Sequence, residues 1–467
     1  MTVRMVRRGH GSSILVAALS SAFGVILLLG TGVLSTSIDR SRLSEHGSVQ
    51  LDLILVAAVF IVIAVYVGAL VITNTFATIV AGRTRTLALY RLIGSSSRTL
   101  RRSVAREGLS VGIIGALTGA LSGIAIVAVG VRVLIGIGLL PDLPYAYLSP
   151  VILVPAVVVV LTTWCASWIG SHRVLSVSPL QAIAASAPAS REESAGSHLR
   201  LVLSLVMIGG GLLLLIAGVV IGMLSPAGML VALLGGLISF GGLIAGSNRF
   251  MPPVLHAVGR ALGSSAPVRL AAANTHRYPQ RSARTSVGLV IGVTLVTMFA
   301  VAAQDFQNAI LASQRAEPGL YAGSGVNTVL TVTVTVFSIL VGFSALIAAV
   351  GVVNNLSLSV LQRTRELGLL RALGFSARQA RIMIVAESAQ LTVASVITGL
   401  VLGTIYGWAG AQSLLGSLPG GGLIAPAIPW LVFLIAAVAA AALALTAAIA
   451  PARRAVSVSP VSALAAD

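Results

Sequence analysis

Arg363-Thr-Arg-Glu-Leu-Gly-Leu-Leu-Arg-Ala-Leu-Gly374 and Arg83-Thr-Arg-Thr-Leu-Ala-Leu-Tyr-Arg-Leu-Ile-Gly94 are two copies of one stretch, 280 residues apart. The same offset pairs Asn74 with Asn354, Leu87 with Leu367, Ser96 with Ser376, Arg98 with Arg378, Arg101 with Arg381 and Glu107 with Glu387. A match this long is self-similarity at a fixed period, the mark of an internal repeat. A second pair of segments, His172-Arg-Val-Leu-Ser-Val-Ser-Pro-Leu180 and Arg453-Arg-Ala-Val-Ser-Val-Ser-Pro-Val461, stands at an offset of 281 and closes each copy alike.

The sequence around these stretches is apolar. The 467 residues are 57% hydrophobic and 9% charged, with a mean hydropathy of +1.02, against about a quarter charged in soluble domains. A transmembrane helix needs roughly 20 apolar residues. Ten segments qualify, at about 12–34, 51–80, 108–135, 151–170, 201–223, 227–247, 285–303, 326–358, 384–410 and 428–450. The fifth and sixth need a tight turn at Ser225 and Pro226. The first, behind Met1–Arg8, is longer than a signal-peptide core and has no small-residue cleavage site, so it reads as a retained span.

All 30 basic residues are arginine, and the net charge is +18. With ten spans and the N-terminus inside, 26 of the 30 fall in cytoplasmic segments, as the positive-inside rule requires. Both termini are then cytoplasmic. No aromatics interleave with the arginines as a nucleic-acid surface needs, so nucleic acid is not a partner class. The lone Cys165 supplies neither a disulfide framework nor a metal cluster. Without lysine there is no G-x-x-x-x-G-K-[ST] phosphate loop, and no run of carboxylates or histidines crosses the spans as an ion-coupled relay would. Catalysis and metal binding are not expected of this chain, and energy must enter from a partner.

The expected fold is an all-α polytopic membrane protein of two parallel four-helix repeats joined by a two-helix linker. The divisions are 1–185, 186–265 and 266–467. Arg83, Arg85, Arg91 and Arg98, with Arg363, Arg365, Arg371 and Arg378, read either as membrane-edge anchors or as docking contacts, and their recurrence puts the two readings level; Glu366 stands beside the second set. Thr86 replaces Glu366 in the first copy, so the two surfaces are unequal. Gly94 and Gly374, each followed by Ser-x-Arg, have the chemistry of a left-handed helix stop and a new start. Glu107 and Glu387 are expected at the N-termini of the third and ninth spans. The runs Gly112, Gly115, Gly119, Gly123 and Gly209–Gly211 are expected to pack helix on helix. Trp168 is expected at the inner interface, and Trp408 and Trp430 at the outer one. Residues 267–286 suit an amphipathic helix on the inner leaflet.

The arginine-rich stretch with Ser376 and Arg378, together with Pro451–Leu464, resembles the two hallmarks of the FtsX/MacB-like ABC permease family. The ten-span layout is similar to permeases of bacitracin-resistance-type peptide exporters. The resemblance implies that segments 83–98 and 363–378 are coupling helices docking on an ABC ATPase, with ATP and magnesium bound on that partner and not here. One chain holding both repeats implies two ATPase copies. It further implies a multi-pass plasma-membrane permease that exports an amphipathic compound, an antimicrobial peptide or a lipid. The alternative is a mechanotransmitter signalling to a sensor kinase or cell-wall hydrolase, with an accessory extracellular or sensor protein as a further partner. Those exporters carry a large extracellular domain between the seventh and eighth spans, for which Gln304–Asn327 is too short.

Overall fold

The computed structural model describes residues 11–38, 58–74, 89–171, 198–316, 334–350, 369–418 and 422–457, less positions 60, 61, 64, 91, 93, 139, 141, 149, 264, 278, 336 and 347. Among these residues the structure is helical without strands. The helices are α1 (Gly11–Ile38), α2 (Val65–Asn74), α3 (Ser97–Gly136), α4 (Leu153–Gly170), α5 (His198–Gly222), α6 (Gly228–Ala245), α7 (Ser247–Ala261), α8 (Ala266–Arg277), α9 (Pro279–Ala316), α10 (Phe337–Val350), α11 (Ala377–Leu415) and α12 (Trp430–Ser457). Eight of them are long and apolar enough to cross a bilayer, and α2 and α10 are shorter apolar helices inside the second and eighth expected spans. The chain is an all-α polytopic membrane protein.

Several boundaries differ from the apolar runs. Helices α3 and α11 start at Ser97 and Ala377, well before the hydrophobic stretch. Arginine is a good helix former, so hydropathy marks where lipid begins and not where the helix does. Glu107 and Glu387 therefore lie about 15 Å inside their helices at 1.5 Å per residue, too far for the N-terminal dipole. Glu387 is instead buried, and Glu107 half-buried. Helix α9 likewise runs on to Ala316, beyond the expected end at 303.

The region between α6 and α9 holds two helices where one was expected. Helix α8 matches the expected amphipathic segment but ends at Arg277, and Pro279 opens α9, the position where proline's missing N–H costs nothing. Helix α7 was not foreseen, because Pro252 and Pro253 lie inside it. It buries Met251, Leu255 and Gly259, a stripe at helical spacing, on a core formed with Leu289, Val293 and Leu391.

Glycine contacts set the helix pairs. Helix α3 packs on α1 and α4, and α11 on α9 and α12. A Cβ at Gly123 would lie 3.0 Å from the Ala22 carbonyl and 3.1 Å from Val25, and at Gly119 2.8 Å from Ser21. At the 280 offset, Gly399 would meet Val293 at 2.7 Å, and Gly403 stands against Thr297. Both repeats thus seat one glycine stripe on their first helix, the close approach that holds helices together in lipid. In the linker, Gly211, Gly218 and Gly222 interlock with the following helix or with Ser413, whereas Gly209 and Gly210 have open space around them. Only the last of the 209–211 triplet has the packing role expected of all three. At the centre Phe23 of α1 meets Phe299 of α9, ring centroids 6.4 Å apart, and Phe343 of α10 at 5.9 Å.

Candidate functional site

The two repeated stretches come to their ends in the same geometry. A last helical turn stops at Gly94 and at Gly374, both with φ of 100°, a conformation glycine adopts without a Cβ penalty. The Ser95 amide donates to the Tyr90 carbonyl at 2.9 Å, and the Phe375 amide to the Leu370 carbonyl at 3.0 Å. The Gly374 amide also donates to the Arg371 carbonyl at 3.1 Å, completing the paired bonds of a Schellman stop. Among the described residues no side chain crowds either glycine.

The chain then restarts at once. The Ser96 hydroxyl accepts from the Thr99 amide at 3.2 Å and caps α3. The Ser376 hydroxyl accepts from the Gln379 amide at 3.2 Å while the Gln379 side chain accepts from the Ser376 amide at 2.9 Å, a full capping box on α11. The result is an elbow between a last helical turn and a long spanning helix, built twice.

Around each elbow Gly94, Arg98, Gly374 and Arg378 are exposed and Arg371 is half-buried. Arg83, Arg85, Arg91, Arg363, Arg365 and Glu366 lie outside the described residues. Sequence reasoning missed an apolar pair: Leu89 and Leu369, equivalent in the two copies, are 48% and 52% exposed, and Leu373 is 77% exposed. At both elbows apolar side chains thus face out near an exposed arginine. The signal was available, since both leucines obey the 280-residue offset.

The elbows are braced differently. In the first, the Arg101 guanidinium sits 4.1 Å from the centre of the Trp168 ring, a cation–π contact tying α3 to the end of α4. In the second, Arg381 is retained but Ile449 stands where the repeat would put a tryptophan. The brace there is polar: Gln390 of α11, buried, donates to the Leu255 carbonyl of α7 at 2.6 Å and to the Thr275 hydroxyl of α8 at 3.0 Å. Leu370 and Ala271 add an apolar contact through Met383 and Ile384.

At the other end of α9 and α11, the chain before α12 is fastened by side chains from both helices. The Trp408 indole donates to the Ile424 carbonyl at 2.6 Å, and the Gln412 side chain bonds Gly422 and Ile424 at 2.6 and 2.8 Å. Asp305 accepts from the Ala427 amide at 2.7 Å, its other oxygen being buried without a hydrogen-bond partner among the described residues. Among the described residues no group of three or more His, Cys, Asp or Glu side chains is placed to hold a metal.

The sequence model of the FtsX-like permease C-terminal domain matches residues 58–179 and 338–460, more than half of the chain, with both matches starting at equivalent repeat positions. Over 96 residues the chain is 31% identical to the uncharacterised ABC transporter permease YknZ of Bacillus subtilis, covering 21% of this chain and 24% of that one. Over 81 residues it is 38% identical to the uncharacterised ABC transporter permease MJ1507 of Methanocaldococcus jannaschii, covering 17% of this chain and 19% of that one. The aligned stretches thus span a quarter or less of either relative. With the domain matched twice, at the register in which the two elbows repeat, the chain belongs to the FtsX-like family of ABC transporter permeases.

Proposed function

We propose that this chain is the membrane subunit of an ABC exporter, in which segments 83–98 and 363–378 are the docking surfaces for two copies of a separate ATPase. The doubled elbow is the main support for this reading. A capped, glycine-stopped turn with exposed Arg and Leu on one side, continuous with a 40- or 39-residue helix on the other, transmits a push at its surface along a rigid rod. Closure of two ATPases around ATP and magnesium would move both rods together, because each is interlocked by glycines with the first helix of its own repeat.

The division into 1–185, 186–265 and 266–467 follows from this reading, as does an orientation with both termini and both elbows on the cytoplasmic side of the plasma membrane. An amphipathic cargo, a peptide or a lipid, suits a permease whose spans carry so little charge. The test is to co-express the chain with the ATPase encoded nearest to it and purify through a tag on the permease. Wild type is expected to retain the ATPase at two copies per chain, and the double variant Arg363→Glu, Arg371→Glu to lose it. An ATPase that never co-purifies with wild type removes the energy source and sinks the reading. Purified wild-type complex that hydrolyses ATP in vesicles but moves no lipid or peptide would favour mechanotransmission.

A further inference from the structure

Helices α5 and α6 fall in the linker, outside both matched segments, yet α6 is gripped from both repeats at one turn. The Tyr66 hydroxyl of α2 donates to the Leu237 carbonyl at 2.7 Å. On the other side the Tyr406 hydroxyl of α11 lies 3.0 Å from the Ser239 hydroxyl, and its ring meets Phe240 edge-on with centroids 5.9 Å apart. The repeat does not supply this arrangement. At the 280-residue offset Tyr66 and Tyr406 correspond to Leu346 and Ile126, which are 51% and 48% exposed. Among the described residues the pseudo-equivalent positions therefore carry no tyrosine and no such grip.

The two grips are unequal. The hairpin stands on α11 over several turns, with Gly222 against the Ser413 backbone and Leu215, Val219 and Ala232 packed with Ala409, Tyr406 and Trp408. Toward α2 the hydrogen bond seen among the described residues is that of Tyr66 to Leu237, beside Phe240, which joins a core cluster with Val67 and Val71. Gly241 makes room for it, since a Cβ there would lie 2.7 Å from the Tyr66 hydroxyl oxygen. A helical carbonyl has a second lone pair to offer, and in the hydrocarbon no water competes for the phenol. The bond is therefore made or broken, with little between.

We propose that the linker hairpin is a latch: it rides with the second repeat and holds the first through the Tyr66–Leu237 hydrogen bond and the apolar contact beside it, so that opening the boundary between spans two and nine breaks that bond. The latch acts on the repeats themselves and needs no ATPase to be observed.

The test uses full-length protein in lipid nanodiscs, spin-labelled at the native Cys165, exposed on α4, and at a Leu434→Cys substitution, 62% exposed on α12. Pulsed-dipolar distances are compared among latch variants. With the latch intact one distance component is expected to dominate. Tyr66→Phe, which removes one oxygen, and Gly241→Ala, which displaces the hydroxyl, are each expected to raise a second, longer component at least threefold, and the double variant no further. Tyr406→Phe is expected to leave the distribution unchanged, because the glycine contacts hold the hairpin to α11 without it. Unchanged distances in Tyr66→Phe overturn the proposal, as does a shift confined to Gly241→Ala, which would mean crowding. Loss of fold in Tyr66→Phe also overturns it, since a contact that opens reversibly must be dispensable to the fold.

Discussion

Replacing Gln390 with methionine should loosen the helical bracket behind the second elbow without leaving a cavity. Gln390 is about 1% exposed and its amide nitrogen donates to Leu255 at 2.6 Å and Thr275 at 3.0 Å. Methionine keeps the length and most of the volume and loses both bonds. Each is worth roughly 0.5–1.5 kcal/mol, and polar contacts in membrane proteins average near the low end, about 0.6 kcal/mol. The partners are not stranded: Leu255 lies in a helix, and the Thr275 hydroxyl still donates to Ala272 at 2.8 Å. The expected loss is therefore about 1–2 kcal/mol, and Gln390→Ala, which adds a cavity, should cost more. Reversible unfolding in mixed micelles gives these differences directly. A cycle with Thr275→Val should show a coupling of about 0.5–1 kcal/mol, as contacting residues do. Equal stability of Gln390→Met and wild type, or a coupling of zero, would refute the idea that α7 and α8 are pinned to α11 through this side chain.

The same geometry sets other outcomes. Ser96→Ala and Ser376→Ala should each cost about 1 kcal/mol at their helix starts, seen as roughly fivefold faster exchange of the Thr99 and Gln379 amides, with Ser376→Asp restoring protection. Gly399→Leu should separate α9 from α11, because even a Cβ would stand 2.7 Å from Val293; the expected result is loss of a monodisperse folded peak, while Gly410→Leu, in open space, keeps it. Asp305→Asn keeps an oxygen for the Ala427 amide and removes a buried carboxylate, so stability should equal or exceed wild type. Asp305→Leu should lose about 1–3 kcal/mol, measured by the same unfolding assay.

The spans were legible because lipid imposes a length on every apolar run, and the turn at Ser225–Pro226 falls between α5 and α6 where the apolar pattern required it. The elbows were legible because a glycine with φ of 100° and a capping serine are local chemistry. Helix ends were not, since Arg98–Arg106 carries charge and yet is as helical as the apolar residues of α3 beyond it. Helix α7 was hidden by Pro252 and Pro253, which in isolation read as breakers and in the structure sit on a helix held by Leu255 and Met251. The grips of Tyr66, Tyr406, Gln390 and Asp305 join residues more than a hundred positions apart, which no period in a single sequence reports.

If the elbows meet an ATPase, a photo-crosslinking amino acid placed at Arg98 or at Arg378, both exposed, and irradiated in native membranes will capture it. Leu423, 74% exposed on the segment before α12, is the control position. An adduct between the permease and a soluble ATPase subunit is expected from each elbow position and none from the control. Adducts from neither elbow in membranes that contain the ATPase, or an ATPase adduct from Leu423, would contradict docking at the elbows.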